Sequence, residues 1–446
     1  MSNHIQKNQH QPDSYAIIWV LAFAMVISVM NSTMFNVALP ALRQEFGLTS
    51  SQVSWVVTVY IIIYAVGSVA YGKLADMFQL KNLITFGLLI FAAGSLIGLL
   101  STGYWMIIVG RVFQSIGASV VPASSMLIPI RCISAENRGR ALGITSSGMA
   151  LGTAIGPVLA GFVIGLASWR YLFLISLLVL LAVPLFRKHL PEQPGTKGHA
   201  DLPGGLLLAG SIAMLLLSIT GRSWMYAAVT AVVFLLFVIR IRKAPHPFVD
   251  PAIFSNARYT AGLVIGCMVL ALNLCVPYLV PQLLSSVQHL SSQQTGLVMF
   301  PGALVAALLG LVGGRIADAR GNRFLFTLAF LLQISAYLLL ILFTGALPAV
   351  IAVLLVVLNT GLTFAQITMA NTVSRTLTGR QTGVGMGVYM MASFIAGAVG
   401  TTLIGAALDR GAGAENVFST LFIVFSIWIA VSAVLYWTVF RERSKK

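Results

Sequence analysis

The chain has little charge of either sign and least of all negative charge. Of 446 residues only 11 are Asp or Glu, against 27 Lys or Arg; charged residues make up 9% of the whole and hydrophobic ones 58%. A water-soluble domain keeps a large polar exterior, so this balance excludes one, and lipid is the expected solvent for most of the chain. Cysteine is scarce as well. Cys267 and Cys275 fall on one expected helix about 12 Å apart along its axis, too far for a disulfide, and Cys132 is remote from both. With no Cys-x-x-Cys and no zinc-ligand spacing, neither a redox dithiol nor a bound metal is expected. No nucleophile constellation or phosphate loop stands out, so the chain does not read as an enzyme and no cofactor is expected. The formal charge of +16 would point to nucleic acid in a soluble protein, but the placement of the charges excludes that partner.

What the chain does have is apolar length. Fourteen segments of roughly 18–28 residues lie between residues 15 and 440, each long enough to span a bilayer. The first follows a polar start, is too long for a signal-peptide core and lacks a small-residue cleavage site, so it reads as a retained span. With the N-terminus inside, Lys and Arg crowd the inner loops, and those on the outer side are Arg43, Arg170, Arg222 and Arg410. The positive-inside rule therefore places both termini in the cytoplasm.

The second segment ends in GKLADMFQLKN (72–82) and the tenth in GRIADARGNR (314–323). Two copies in register, eight segments apart, imply two parallel six-helix repeats with two helices inserted between them, at 203–220 and 223–241. The expected plan is an all-α membrane protein. It runs from a cytoplasmic tail, 1–14, to a six-helix bundle, 15–187. A linker carrying the two extra helices, 188–258, leads to a second six-helix bundle, 259–440, and a basic tail, 441–446.

With these motifs the chain resembles the major facilitator superfamily. Within it the chain is most similar to the fourteen-helix drug/proton antiporter group and its Gram-positive tetracycline efflux proteins. ENRGRALG (136–143), KGHAD (197–201), PFVDP (247–251) and VQHLSSQQTGLVMFPG (287–302) extend the likeness over essentially the whole chain. The resemblance implies the major facilitator fold in a bacterial cytoplasmic membrane and a monomer. It also implies export of an amphipathic small molecule by alternating access, coupled to protons or another ion.

Three groups of residues carry that implication. Gly72, Asp76 and Lys81, with Asp318 and Arg323 in the second copy, match the superfamily's loop motif and read as latches, Gly72 allowing helices to approach and Asp76 capping or pairing with a neighbour. The first copy has Met77, Gln79 and Leu80 where the family keeps basic, glycine and basic residues. Gly148, Gly152 and Gly156 recur on one helix face, and with Pro157 and Gly161 they resemble the antiporter motif, in which Pro157 bends the helix. In the family this motif points to export.

The third group surrounds Arg111, a full charge within a span, about 10 Å deep by its distance from Tyr104. Such a charge costs ~2.5–3.5 kcal/mol on insertion scales and needs a partner or a watery cavity. No acid lies within a span: Asp13, Glu45, Asp76, Glu136, Glu192, Asp201, Asp250, Asp318, Asp409, Glu415 and Glu442 are all at segment ends or in loops, as are the six histidines. Where relatives keep intramembrane carboxylates this chain has Asn31, Ser32 and Ala396. The expected substrate cavity is lined by Arg111, Asn31, Ser32, Asn36, Gln114, Asn273, Asn359, Gln366 and Asn371, and favours an anionic, zwitterionic or neutral amphiphile over a cation. Any proton coupling then falls to peripheral acids such as Asp76, Asp201 or Asp318. An uncoupled facilitator or lipid-type flippase is the alternative within transport; a membrane sensor that keeps the fold without flux is the alternative outside it.

Overall fold

A computed structural model describes residues 12–133, 138–191, 201–221, 223–245, 247–249, 251–345, 347–377, 382–410 and 415–440. The side chains of Lys73, Asp76, Arg315 and Asp318 are also outside the described set, as are the two tails and most of the ENRGRALG and KGHAD stretches. Among the described residues every regular element is helical, and thirteen helices are long and apolar enough to cross a membrane.

The N-terminal half begins with α1 (Pro12–Phe46), α2 (Ser50–Met77) and α3 (Leu80–Leu99). The fourth span is two helices, α4 (Tyr104–Ala118) and α5 (Val120–Cys132), joined at Ser119. The fifth is α6 (Arg138–Leu166), in which Leu151–Leu166 is a shorter apolar stretch. The expected sixth span, 170–187, is broken: α7 (Tyr171–Ser176) passes through a 3-10 stretch, Leu177–Leu181, into α8 (Ala182–His189). The inserted pair is α9 (Leu202–Gly221) and α10 (Trp224–Lys243). The C-terminal half comprises α11 (Ala257–Ser286), α12 (Ser292–Leu342), α13 (Pro348–Ser374), α14 (Thr382–Arg410) and α15 (Glu415–Val439).

The expected tenth and eleventh spans both lie within α12, which is two helices joined at a corner where the backbone leaves the helical conformation. Gly321 makes that corner with φ 82° and ψ 159°, a region only glycine occupies comfortably. The matching position in the first copy, Gln79, turns instead with φ −59° and ψ 123°, which any residue can adopt. The missing glycine of the first copy is therefore a different corner rather than a strained one.

The halves repeat each other in their packing. α1 lies on α6 as α11 lies on α14, and between halves α2 meets α14 as α12 meets α6. α9 rests against α2 and α14 beside this seam, while α10 leans mainly on α9 and exposes Trp224, Met225, Val232 and Leu235, as a lipid-facing helix should. Asp201 fixes the pair. Its carboxylate accepts the Gly204 amide at 3.1 Å, pairs with Arg240 Nε at 3.1 Å and accepts the Phe248 amide at 3.2 Å.

Phe440, just past α15, packs beside Gly262 near the start of α11, whereas Tyr278 toward the end of α11 bonds Ser50 at the start of α2. The chain thus enters α1 and leaves α15 at one end of the molecule, called here the near end; Ser50 marks the far end. Gly321→Ala is expected to lower stability by about 1–3 kcal/mol, and Gln79→Gly by less than 1 kcal/mol, or ~0. Thermal unfolding of the purified protein in detergent checks both, and equal losses would contradict the two corner geometries.

Candidate functional site

Arg111 points from α4 toward α1 and α2, while the neighbouring Gly110, Gln114 and Gly117 pack on α3, and glycines set how close α3 and α4 come. A Cβ on Gly94 would lie 2.4 Å from the Gln114 amide nitrogen, so only glycine lets α3 and α4 approach this closely. That approach brings Ser95 of α3 within reach of Gln114.

The guanidinium is fully buried. Its Nε donates to the Val56 carbonyl of α2 at 3.0 Å, and its Nη1 donates to Asn31 Oδ1 of α1 at 2.7 Å and to Gln114 Oε1 at 2.9 Å. The rings of Phe35 and Tyr60 cover its two faces, with centroids 4.2 and 4.1 Å from Cζ. Both amides pass the interaction on. Asn31 Nδ2 donates to Ser176 Oγ at 2.6 Å and Gln114 Nε2 donates to Ser95 Oγ at 2.8 Å, and each serine hydroxyl donates to a carbonyl of its own helix at 2.9 Å. Ser115 Oγ donates to the Tyr60 carbonyl. One charge thereby ties together α1, α2, α3, α4 and α7. Among the described residues no carboxylate bonds to it, and Nη2 is buried with no hydrogen-bond partner.

Neutral partners can hold such a cation because hydrogen bonds to a charged group contribute about 1.5–3 kcal/mol each. Desolvated cation–π contacts add ~2 kcal/mol.

This arrangement differs from an open cavity at three of the expected residues. Arg111, Asn31 and Gln114 have no exposure at all, so in this conformation they are packed polar core and not the wall of an open cavity. The remaining candidates are spread differently. Ser32, Asn273, Asn359 and Gln366 are half-buried and Asn36 is 7% exposed. Asn36 Oδ1 on α1 and Asn273 Nδ2 on α11 are buried without partners, an acceptor and a donor on adjacent helices of opposite halves. Asn359 bends back to its own Leu355 carbonyl at 2.9 Å and fills the space beside Gly302 of α12, which makes it a helix-packing residue. A cleft of about 420 Å³ at the far end, between the last turns of α1 and α11, is lined by Arg43, Gln44 and Gln282 and by none of the expected cavity residues.

The glycine face of α6 does two jobs. Cβ atoms on Gly148, Gly152 and Gly156 would meet the Ala22 carbonyl at 2.7 Å, the Val26 carbonyl at 2.6 Å and Thr33 Oγ1 at 2.0 Å, all on α1. Beyond Pro157 the partner changes. Gly161 faces the Ser292 carbonyl of α12 at 2.6 Å, and Gly296 of α12 faces the Pro157 carbonyl at the same distance. The helix is fastened to its own half through three glycines and then crosses to the other half at the far end.

The latch motif looks different at the near end. Among the described residues, a Cβ on Gly72 would meet nothing within 4 Å, and the same holds for Gly314, its counterpart in the second copy. Among the described residues, neither glycine is in close contact with a neighbouring helix in this conformation. Lys81 is half-buried and Arg323 exposed. The residues not foreseen from sequence are Phe35, Tyr60, Ser95 and Ser176 around Arg111, and Asp409 at the far end.

Several known proteins are similar to this chain. The family profile described as Major Facilitator Superfamily matches residues 21–401. The riboflavin transporter RibZ of Clostridioides difficile (strain 630) is 29% identical over 71% of both chains. The multidrug efflux pump SdrM of Staphylococcus aureus (strain N315) is 26% identical over 97% of this chain and 98% of its own. The methylenomycin A resistance protein of Bacillus subtilis (strain 168) is 27% identical over 79% of both. Among solved structures the POT family transporter PepTSo superposes with a TM-score of 0.71 over 97% of this chain and 98% of that one, at 14% identity, a likeness of fold alone.

Lysine cannot span the Val56 carbonyl, Asn31 and Gln114 with one ammonium while lying flat between two rings. Arg111→Lys is therefore expected to cost about 2–4 kcal/mol of stability, read as a lower melting temperature in detergent. An unchanged melting temperature would show that the network does not hold the N-terminal half together.

Proposed function

The chain belongs to the major facilitator superfamily, and from that premise we propose that it is an exporter of amphipathic small molecules that works by alternating access of its two halves. It is a multi-pass membrane transporter, and its natural setting in this reading is a bacterial cytoplasmic membrane with both termini inside. The near end is then cytoplasmic and the far end external. The observation that carries the reading is the change of partner along α6. Gly148, Gly152 and Gly156 lock it to α1, while Gly161 closes on α12 of the opposite half, so that rocking of one half against the other breaks the second contact and keeps the first.

Export, as opposed to another direction, draws on the antiporter motif and on the multidrug and methylenomycin-resistance relatives. The fourteen-helix drug/proton group is the finer placement we propose, with protons as the coupling ion and Asp76, Asp201 or Asp318 as the acids that would carry them. Tetracycline is one candidate substrate. The partners of Arg111 bear on substrate charge: a cation held by amides, a carbonyl and two rings leaves the membrane core with net positive charge, which disfavours cationic drugs and favours anionic, zwitterionic or neutral ones. A neutral aromatic compound of the riboflavin kind fits the same condition. That neutral network also favours, as the second reading, an uncoupled facilitator of the same substrates.

A susceptibility and uptake panel in an exporter-deficient host tests this. Expression is expected to lower accumulation of anionic or neutral amphiphiles at least fivefold more than that of cationic dyes, and Asn31→Asp, which gives Arg111 a carboxylate, to narrow that difference. Protection against cationic dyes alone would contradict the reading. Collapse of the pH gradient distinguishes coupling from facilitation, since a facilitator still equilibrates its substrate.

A further inference from the structure

The repeat that is visible at the near end in GKLAD and GRIAD extends to the far end. α2 and α12 each begin with a reciprocal capping box. Thr49 Oγ1 accepts the Gln52 amide while Gln52 accepts the Thr49 amide, and Ser291 and Gln294 do the same. The interval from Thr49 to Ser291 is the interval from Gly72 to Gly314, so the two helices correspond residue for residue from end to end.

Each of these helix starts is pressed by a glycine from the opposite half. A Cβ on Gly161 would lie 2.6 Å from the Ser292 carbonyl, and one on Gly405 would lie 3.1 Å from the Ser50 carbonyl. The two seams are alike to this point. One helical turn further along they differ. Four residues past Gly161 stands Gly165, whose Cβ would lie 3.3 Å from Gln293 Cβ. Four residues past Gly405 stands Asp409. Its Oδ1 accepts the Ser50 amide at 2.5 Å and its Oδ2 the Ser51 amide at 2.8 Å.

A capping box leaves the first amides of a helix unsatisfied. In α2 those are Ser50 and Ser51, and their acceptor comes from the other half of the protein. Two charge-assisted bonds and the positive end of the helix dipole act on the same carboxylate. The Ser50 carbonyl also accepts the Tyr278 hydroxyl of α11 at 3.3 Å, and Ser50 is fully buried. Opening the far end would have to break all of these contacts.

We propose that Asp409 is the far-end latch, the one carboxylate among the described residues at the two related seams that holds the halves together and must release α2 for that end to open. The proposal rests on the alternating-access reading and adds an acid to it at the end opposite Asp76 and Asp318.

Spin labels test it in the full chain with Cys132, Cys267 and Cys275 replaced by alanine. One label pair, at Thr102 and Leu347, reports the far end, and a second, at Phe78 and Phe324, reports the near end; all four positions are exposed. Asp409→Asn keeps the shape and removes the charge. It is expected to raise the population with a long far-end distance about tenfold over the parent, and Asp409→Glu to return it toward the parent. An unchanged far-end distribution in Asp409→Asn would overturn the latch. A far-end pair that lengthens while the near-end pair stays fixed would support the latch and contradict the coupled exchange of the two ends.

Discussion

The N-terminal half is organised by one buried cation that has to be satisfied without an acid. A guanidinium in the middle of a helix bundle needs acceptors in its plane and polarisable faces above and below. Here the acceptors are Val56, Asn31 and Gln114, and the faces are Phe35 and Tyr60. Every one of these demands fixes a helix. The amides that serve Arg111 must in turn be oriented, which fixes Ser176 and Ser95 and brings in two more helices. The close seam at Gly94 follows from the same requirement, since a larger residue there would hold Gln114 away from Ser95.

In the proposed alternating-access cycle a half held together in this way moves as one body. The interface then has to supply contacts that close one end and release the other. Toward the far end the halves touch through glycines and polar side chains: Gly161 on Ser292, Gly405, Tyr278 and Asp409 on the start of α2, and Thr58 on Thr401. At the near end the glycines of both loop motifs have no described neighbour within 4 Å of a Cβ position. In the proposed rocking cycle, closure at the far end with room beside these glycines corresponds to one state. Pro157 sits where α6 passes from the rigid body to the interface, with no helical amide to lose at that position.

Much of this was legible in the residues. The spans, the inserted pair and the near-end repeat follow from apolar length and from GKLAD and GRIAD, because those features are local. The capping boxes were equally local, in LTSSQ and LSSQQ, and would have carried the repeat to the far end. What could not be read locally was partnership. Nothing in the apolar run LLVLL marks the 3-10 break in the sixth span. A polar residue at mid-span reads as cavity lining, yet Asn31 and Gln114 are spent on Arg111 and Asn359 on its own helix. Asp409 reads as a loop acid beside Arg410, and its partners lie on α2, more than three hundred residues earlier in the chain.

The central claim, that the contact between α6 and α12 must open and close for transport, has a direct test. Cβ positions at Gly165 and Gln293 are 3.3 Å apart, close to the ~3.5–4.5 Å that a disulfide spans. With the native cysteines replaced, Gly165→Cys and Gln293→Cys together are predicted to form a bridge that stops transport when oxidised and restores it when reduced. Equal transport in the fully bridged and reduced forms would contradict the account.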